Sequence, residues 1–159
     1  MYAQGSAVTY ALTGFKQVTT LGVEDKCAIT MFLSVTNDGT LLPIQVIYKG
    51  LSSVSTPSEH SPSYAEAIAA GFLFEYSKTT TYWSTQATMC NFVNHILAPY
   101  LESQKEELGM PSNQYSIWLI DCWSVHRLEE FLSWMWTTPT IIVIFVPAGC
   151  TGLFQPCDV

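Results

Sequence analysis

The sequence predicts a mixed α/β domain, on three observations. A β-rich run from Ala28 to Val35 and a second from Leu41 to Tyr48 flank Asn37-Asp38-Gly39, whose residues favour tight turns, so the two runs form a hairpin. Between Ser84 and Gly109 the period changes: Met89, Phe92, Val93, Ile96, Leu97 and Tyr100 recur at helical spacing, which gives a helix with one apolar face. Two continuous apolar runs follow, Tyr115 to Asp121 and Ile141 to Val146, with a short helix over Arg127 to Trp136 between them. Apolar runs joined through a helix predict parallel strands covered on both faces.

Taken in order, Val8 to Tyr10 and Gln17 to Leu21 read as short strands around a Thr13-Gly14 turn. Pro43 donates no backbone hydrogen bond and therefore predicts an edge or a bulge near the start of the second hairpin strand. Ser52 to Pro62, rich in Ser, Pro and Thr, reads as a surface loop, and Tyr64 to Ala70 as a short helix ended by Gly71. For the long helix, Ser84 is the expected N-cap and Gly109 the terminator, and Pro99 should kink it or split it in two. Glu102 to Glu107 is charged and is expected to be a solvated face. No internal repeat, low-complexity block or domain boundary is visible, so residues 1–159 are expected to form a single domain.

With 48% hydrophobic and 12% charged residues, the composition is that of a globular chain with a sizeable core. Thirteen acids against six bases give a net charge of −7, the wrong sign for neutralising many phosphates unaided. Any duplex binding would need a basic partner segment or metal ions. Cys27, Cys90, Cys122, Cys150 and Cys157 are odd in number, scattered and without a C-x-x-C pair, which argues for buried thiols in a reducing compartment over zinc or a disulfide framework. The first residues lack the basic start and apolar core of a signal peptide, and no apolar stretch reaches the ~18 residues of a membrane span, so a soluble intracellular protein is expected.

Two acids stand where chemistry is possible. Asp121 ends the apolar run Ile117-Trp118-Leu119-Ile120, and Asp158 closes Gln155-Pro156-Cys157-Asp158 shortly after the next run. Carboxylates are the ligands that hard divalent ions prefer, and two of them beside neighbouring strands can hold metal against a phosphodiester. In isolation an Asp after a strand is more commonly a helix cap or turn former. His126 has several readings: it orients Asp121, it hydrogen-bonds a metal-bound water, or it is a capping or core-edge residue. A Ser124, His126, Asp121 hydrolase triad is dismissed, because three residues this close on one loop do not place a base between nucleophile and orienter, and no G-x-S-x-G elbow is present. Trp118, Trp123, Trp134 and Trp136 flank the acid and offer either base-stacking faces or core filling. His60 and His95 have no acidic or nucleophilic neighbour at useful spacing and read as structural.

The conjunction of Asp121, His126, Phe145-Val146-Pro147, Thr151 and the Gln-Pro-x-Asp ending resembles the DDE-type transposases and endonucleases of the pogo and Tigger kind and their domesticated fungal relatives. Further matches run through Thr9-Tyr10-Ala11, Gly14, Lys16-Gln17-Val18, Lys26, Thr30, Asp38-Gly39-Thr40, Pro43, Ile47-Tyr48-Lys49-Gly50 and Trp83, nearly the whole chain. The resemblance implies a ribonuclease H-like fold, a mixed sheet with helices on both faces, its first strand incomplete or missing. It also implies a nuclear protein whose ancestral reaction is DNA phosphodiester cleavage and strand transfer with Mg2+ or Mn2+. Asp121 then matches the family's second acid and Asp158, 36 residues on, its third; both become metal ligands and catalytic residues, with His126 beside them.

The family's first acid sits in an Asp-Gln-Thr type motif just upstream of what Tyr2-Ala3 matches, and no Asp or Glu precedes Glu24 here. The DNA-binding helix-turn-helix region of such transposases and the helix expected after Asp158 are likewise not in the sequence. The expectation is therefore a core truncated at both ends, inactive as it stands, because two acids fix a two-ion site poorly. Two other readings stay open: a domesticated module that binds nucleic acid or protein without chemistry, and a fragment of a longer functional transposase.

Overall fold

The structure, a computed structural model, describes residues 29–147 and 149–150. Its strands are β1 (Ile29–Phe32), β2 (Gln45–Tyr48), β3 (Leu73–Tyr76), β4 (Ser116–Ile120) and β5 (Ile141–Phe145). The helices are α1 (Tyr64–Ala69), α2 (Gln86–Phe92), α3 (Ala98–Glu107) and α4 (Glu129–Met135). The expected strands around Thr13-Gly14 lie outside the described residues, as do Ala28 and Asp158.

The hairpin forms as expected. β1 and β2 pair antiparallel, with Ile29 opposite Tyr48 and Phe32 opposite Gln45. The turn is set by Gly39 at φ +89° and by Asp38, whose carboxylate accepts from the Thr36 hydroxyl and from the Thr40 N–H at 3.0 Å. Pro43 sits before the regular part of its strand. The edge reading of that strand is corrected: β2 is the central strand, paired on its other side with β3.

β3 was not anticipated. It runs parallel to β2 and follows α1, which Gly71 ends at φ +80°. A buried polar link holds it down: Gln45 donates to Glu75 and to the Thr88 carbonyl at 2.7 Å, and Asn91 donates to Glu75, tying β2 and β3 to α2. The Ser52–Pro62 connection is irregular apart from a single 3-10 turn over Ser53–Ser55.

The long helix begins one residue later than expected. Thr85, not Ser84, is the N-cap: its hydroxyl accepts the Thr88 N–H, and the Thr88 hydroxyl accepts the Thr85 N–H at 2.9 Å, a reciprocal capping box. Pro99 divides the helix as its missing donor requires. A π-turn over Val93–Leu97 joins α2 to α3, with the Ala98 N–H reaching back to the Val93 carbonyl. Gly109 terminates α3 at φ +64°, its N–H on the Glu106 carbonyl and the Met110 N–H on the Lys105 carbonyl at 2.8 Å, which is a Schellman motif.

The charged stretch Glu102–Glu107 is not wholly solvated. Lys105 is buried, and its ammonium donates to Glu102 at 2.7 Å and to the Ser112 carbonyl and the Thr140 hydroxyl at 3.2 Å each. Three donors meet three acceptors, so the buried charge is satisfied. It pins the end of α3 to the entry of β5.

β4 and β5 pair parallel in register from Ser116–Ile141 to Ile120–Phe145, the connection running through α4. The helix expected over Arg127–Trp136 begins only at Glu129, because Ser124–Arg127 form a 3-10 turn. Along β4 the burial alternates: Trp118 and Ile120 face the core while Ile117 is 68% exposed and Leu119 49%. Ile142 and Ile144 of β5 are exposed as well. Among the described residues, then, helices cover one face of this pair, and no helix is long and apolar enough to cross a membrane.

One aromatic joint connects the two sheets. Phe92 of α2 is fully buried, with its ring centroid 4.5 Å from Phe32 of β1 and 5.9 Å from Trp118 of β4. Burial of such a side chain contributes roughly 1.5–3 kcal/mol. Among the described residues β1 and β4 are each the edge strand of their sheet, and both edges line one groove of about 900 Å³. The result is a mixed α/β fold with a mixed sheet, consistent with the ribonuclease H-like fold of DDE domains.

Candidate active site in the groove between the two sheets

Asp121 is the first residue beyond β4. The ladder continues to that point, since the Val146 N–H bonds the Ile120 carbonyl at 2.8 Å, and the chain then leaves the sheet. A rigid strand thus delivers the carboxylate to the groove, where the side chain is 41% exposed.

The turn that follows brings His126 back against it. Trp123 caps the 3-10 turn, the His126 N–H bonds the Trp123 carbonyl at 3.0 Å, and the imidazole is enclosed. Its Nδ1 lies 2.7 Å from Asp121 Oδ1 and 3.2 Å from the Asp121 carbonyl oxygen. A proton on Nδ1 therefore serves both oxygens. Nε2 is buried with no hydrogen-bond partner, and the edge of Phe32 closes over the ring at 5.9 Å between centroids. The imidazole thus meets the carboxylate through Nδ1, and its other ring nitrogen is enclosed.

Of the residues singled out in the sequence, the structure brings Asp121 and His126 together; Asp158 lies outside the described residues. His95 is exposed, its Nδ1 against the Asn91 carbonyl at 2.9 Å, and His60 is exposed on the loop, so neither enters the groove. Cys90, Cys122 and Cys150 are free thiols. Among the described residues no three His, Cys, Asp or Glu side chains cluster as a metal site.

Trp118 belongs to the core, whereas Trp136 is largely exposed. Sequence reading missed one neighbour of the acid. Trp83, just before the α2 cap, packs on Trp123 with centroids 5.0 Å apart, and both line the groove with Asp121. The available signal was the aromatic pair Tyr82-Trp83 ahead of a helix cap, but nothing local pairs it with position 123.

No Lys or Arg lines the groove among the described residues, and besides Asp121 and His126 the wall is hydroxyl, amide and apolar. Carboxylate oxygen is the donor that hard divalent cations prefer.

Comparison with curated proteins and comparison with solved structures each return no match. The DDE superfamily endonuclease profile matches residues 26–159. That span takes in the hairpin, the long helix, both strands of the parallel pair and the acids at both ends of the Asp121–Asp158 interval, and the chain belongs to the DDE superfamily endonucleases.

Proposed function

We propose that this chain is the catalytic core of a transposon-derived nuclease, of the pogo and Tigger kind, whose ancestral reaction is metal-dependent cleavage of DNA phosphodiesters and strand transfer. Asp121 and Asp158 hold the Mg2+ or Mn2+, and His126 is a positioning residue that fixes the Asp121 carboxylate. The observation that carries this reading is Asp121 itself: a half-exposed carboxylate at the end of a half-buried strand, met on one oxygen by an enclosed imidazole.

Asp121 fits a hard divalent ion, because its carboxylate lines the groove and oxygen is the donor such ions prefer. The remaining ligands in this proposal are Asp158 and water. When bound, the metal would activate the attacking oxygen and stabilise the leaving one. The protein's part is geometric. β4 sets where the Asp121 carboxylate stands, His126 sets its rotation, and the surrounding apolar wall limits water around the phosphodiester.

The test has two readouts. Mn2+ titration followed by electron paramagnetic resonance is expected to show binding that weakens in Asp121→Asn and again in Asp158→Asn. Nicking of supercoiled plasmid, by a chain extended at its amino end with an Asp-Gln-Thr strand, is expected to vanish in either variant. Retained nicking in Asp121→Asn or Asp158→Asn removes the metal-site assignment. DNA binding without Mn2+ binding or nicking assigns the chain instead to the non-catalytic module class.

A further inference from the structure

We infer that Trp83 and Trp123 form a stacking platform for a nucleobase of a single DNA strand, placing that strand's backbone beside Asp121. The inference rests on the nuclease reading above and adds the means by which an acidic protein holds its substrate. The chain carries a net charge of −7, and no Lys or Arg lines the groove among the described residues. Phosphate neutralisation therefore supplies little affinity here, and the ordinary salt-dependent mode of binding is weak. Stacking on an aromatic face does not need positive charge and tolerates every base.

The two indoles meet that requirement. Their centroids are 5.0 Å apart at an interplanar angle of 32°, yet Trp83 remains 45% exposed and Trp123 39%. Each is tied to neighbouring structure. The carbonyl of Tyr82 accepts the Thr30 hydroxyl of β1 at 2.7 Å, and the Tyr82 ring packs on Trp83 at 4.8 Å. On the other side the Trp123 carbonyl accepts the His126 N–H, so the turn that brings His126 to Asp121 also fixes the main chain that carries Trp123. A platform fixed in advance loses little side-chain freedom when a base stacks on it. Trp123 lies two residues from Asp121 and lines the same groove, so a strand stacked on it passes beside that carboxylate.

The test uses the 159-residue chain in EDTA, so that binding is read without metal or chemistry. An oligothymidylate is compared with an abasic oligonucleotide of the same length and charge, by fluorescence anisotropy of a label on the DNA. The oligothymidylate is expected to bind, the abasic strand at least about 10-fold more weakly, and the affinity to change little with added salt. Trp83→Ala and Trp123→Ala should each weaken oligothymidylate binding by roughly 5- to 150-fold, while Trp83→Phe and Trp123→Phe retain most of it. The Phe variants separate stacking from collapse of the turn. No binding by the wild-type chain, equal binding of the abasic strand, or unchanged binding in the Ala variants overturns the inference. Because nicking is not measured, failure here leaves the assignment of Asp121 and Asp158 standing, and failure of that assignment leaves the stacking result readable.

Discussion

His126 Nδ1 lies 2.7 Å from Asp121 Oδ1, across a 3-10 turn that also brings it within 3.2 Å of the Asp121 carbonyl. One proton thus ties the first residue after β4 to a residue enclosed beneath β1, and a rotation of the carboxylate breaks that bond. Replacing His126 by Ala removes the donor and opens space under Phe32, whereas Asn offers an amide nitrogen near the Nδ1 position. If the imidazole acts by orienting a metal ligand, His126→Ala should weaken Mn2+ binding by about 10- to 100-fold, with His126→Asn recovering part of it. Equal affinity in wild type and His126→Ala would confine the histidine to a packing role.

The cap of α2 gives a sharper comparison, between adjacent residues. Thr85 and Thr88 satisfy each other's backbone N–H groups, so Thr85→Ala should lower stability by about 1 kcal/mol. Ser84 makes no capping bond to α2, and Ser84→Ala should have the smaller effect. Thermal unfolding of both variants measures the difference. A larger loss in Ser84→Ala would return the cap to Ser84.

These two sites show which parts of the protein are legible in its sequence. The hairpin, the Pro99 break and the Gly109 terminator rest on backbone chemistry that single residue types carry: a left-handed glycine, a missing donor. Asp121 was visible because a polar residue ending an apolar run marks a strand end. β3 was not, since Leu73–Tyr76 is four residues long and is stabilised by parallel pairing with β2 and by the Gln45–Glu75–Asn91 link, all non-local. The cap was misplaced by one because the box uses Thr at its third position, where Glu or Gln is the usual signal. Trp83 escaped notice as a neighbour of the acid for the same reason as β3: its contact with Trp123 spans the fold.

Lys105 is the clearest case of tertiary structure overriding composition. It sits in a run of acids and polar residues that reads as a solvent face, yet its ammonium is enclosed and bonded to Glu102, Ser112 and Thr140. Lys105→Ala removes three bonds and leaves the Ser112 carbonyl and Thr140 hydroxyl to find water. The expected loss is roughly 1–3 kcal/mol, read as a lowered midpoint in urea. Lys105→Met, which keeps most of the buried stem, should lose less. An unchanged midpoint in Lys105→Ala would mean that the ammonium is solvated in solution.

Asp38 makes the hairpin turn sensitive to acid. The Thr36 hydroxyl, and after it the Thr40 N–H, hold its carboxyl below the ordinary aspartate value of 3.8. A carboxyl whose folded value is depressed binds its proton more readily in the unfolded chain, so its contribution to stability is present above the unfolded value. That contribution is lost as the pH falls through the folded one. Asp38→Ala should therefore be less stable than wild type near neutrality, and the two should converge as the pH drops below 3.8. The group is fully exposed, so the gap is expected to be small. Paired urea titrations across that range measure it, and a gap that persists unchanged at the acid end would show that the side chain acts through turn propensity rather than through its charge.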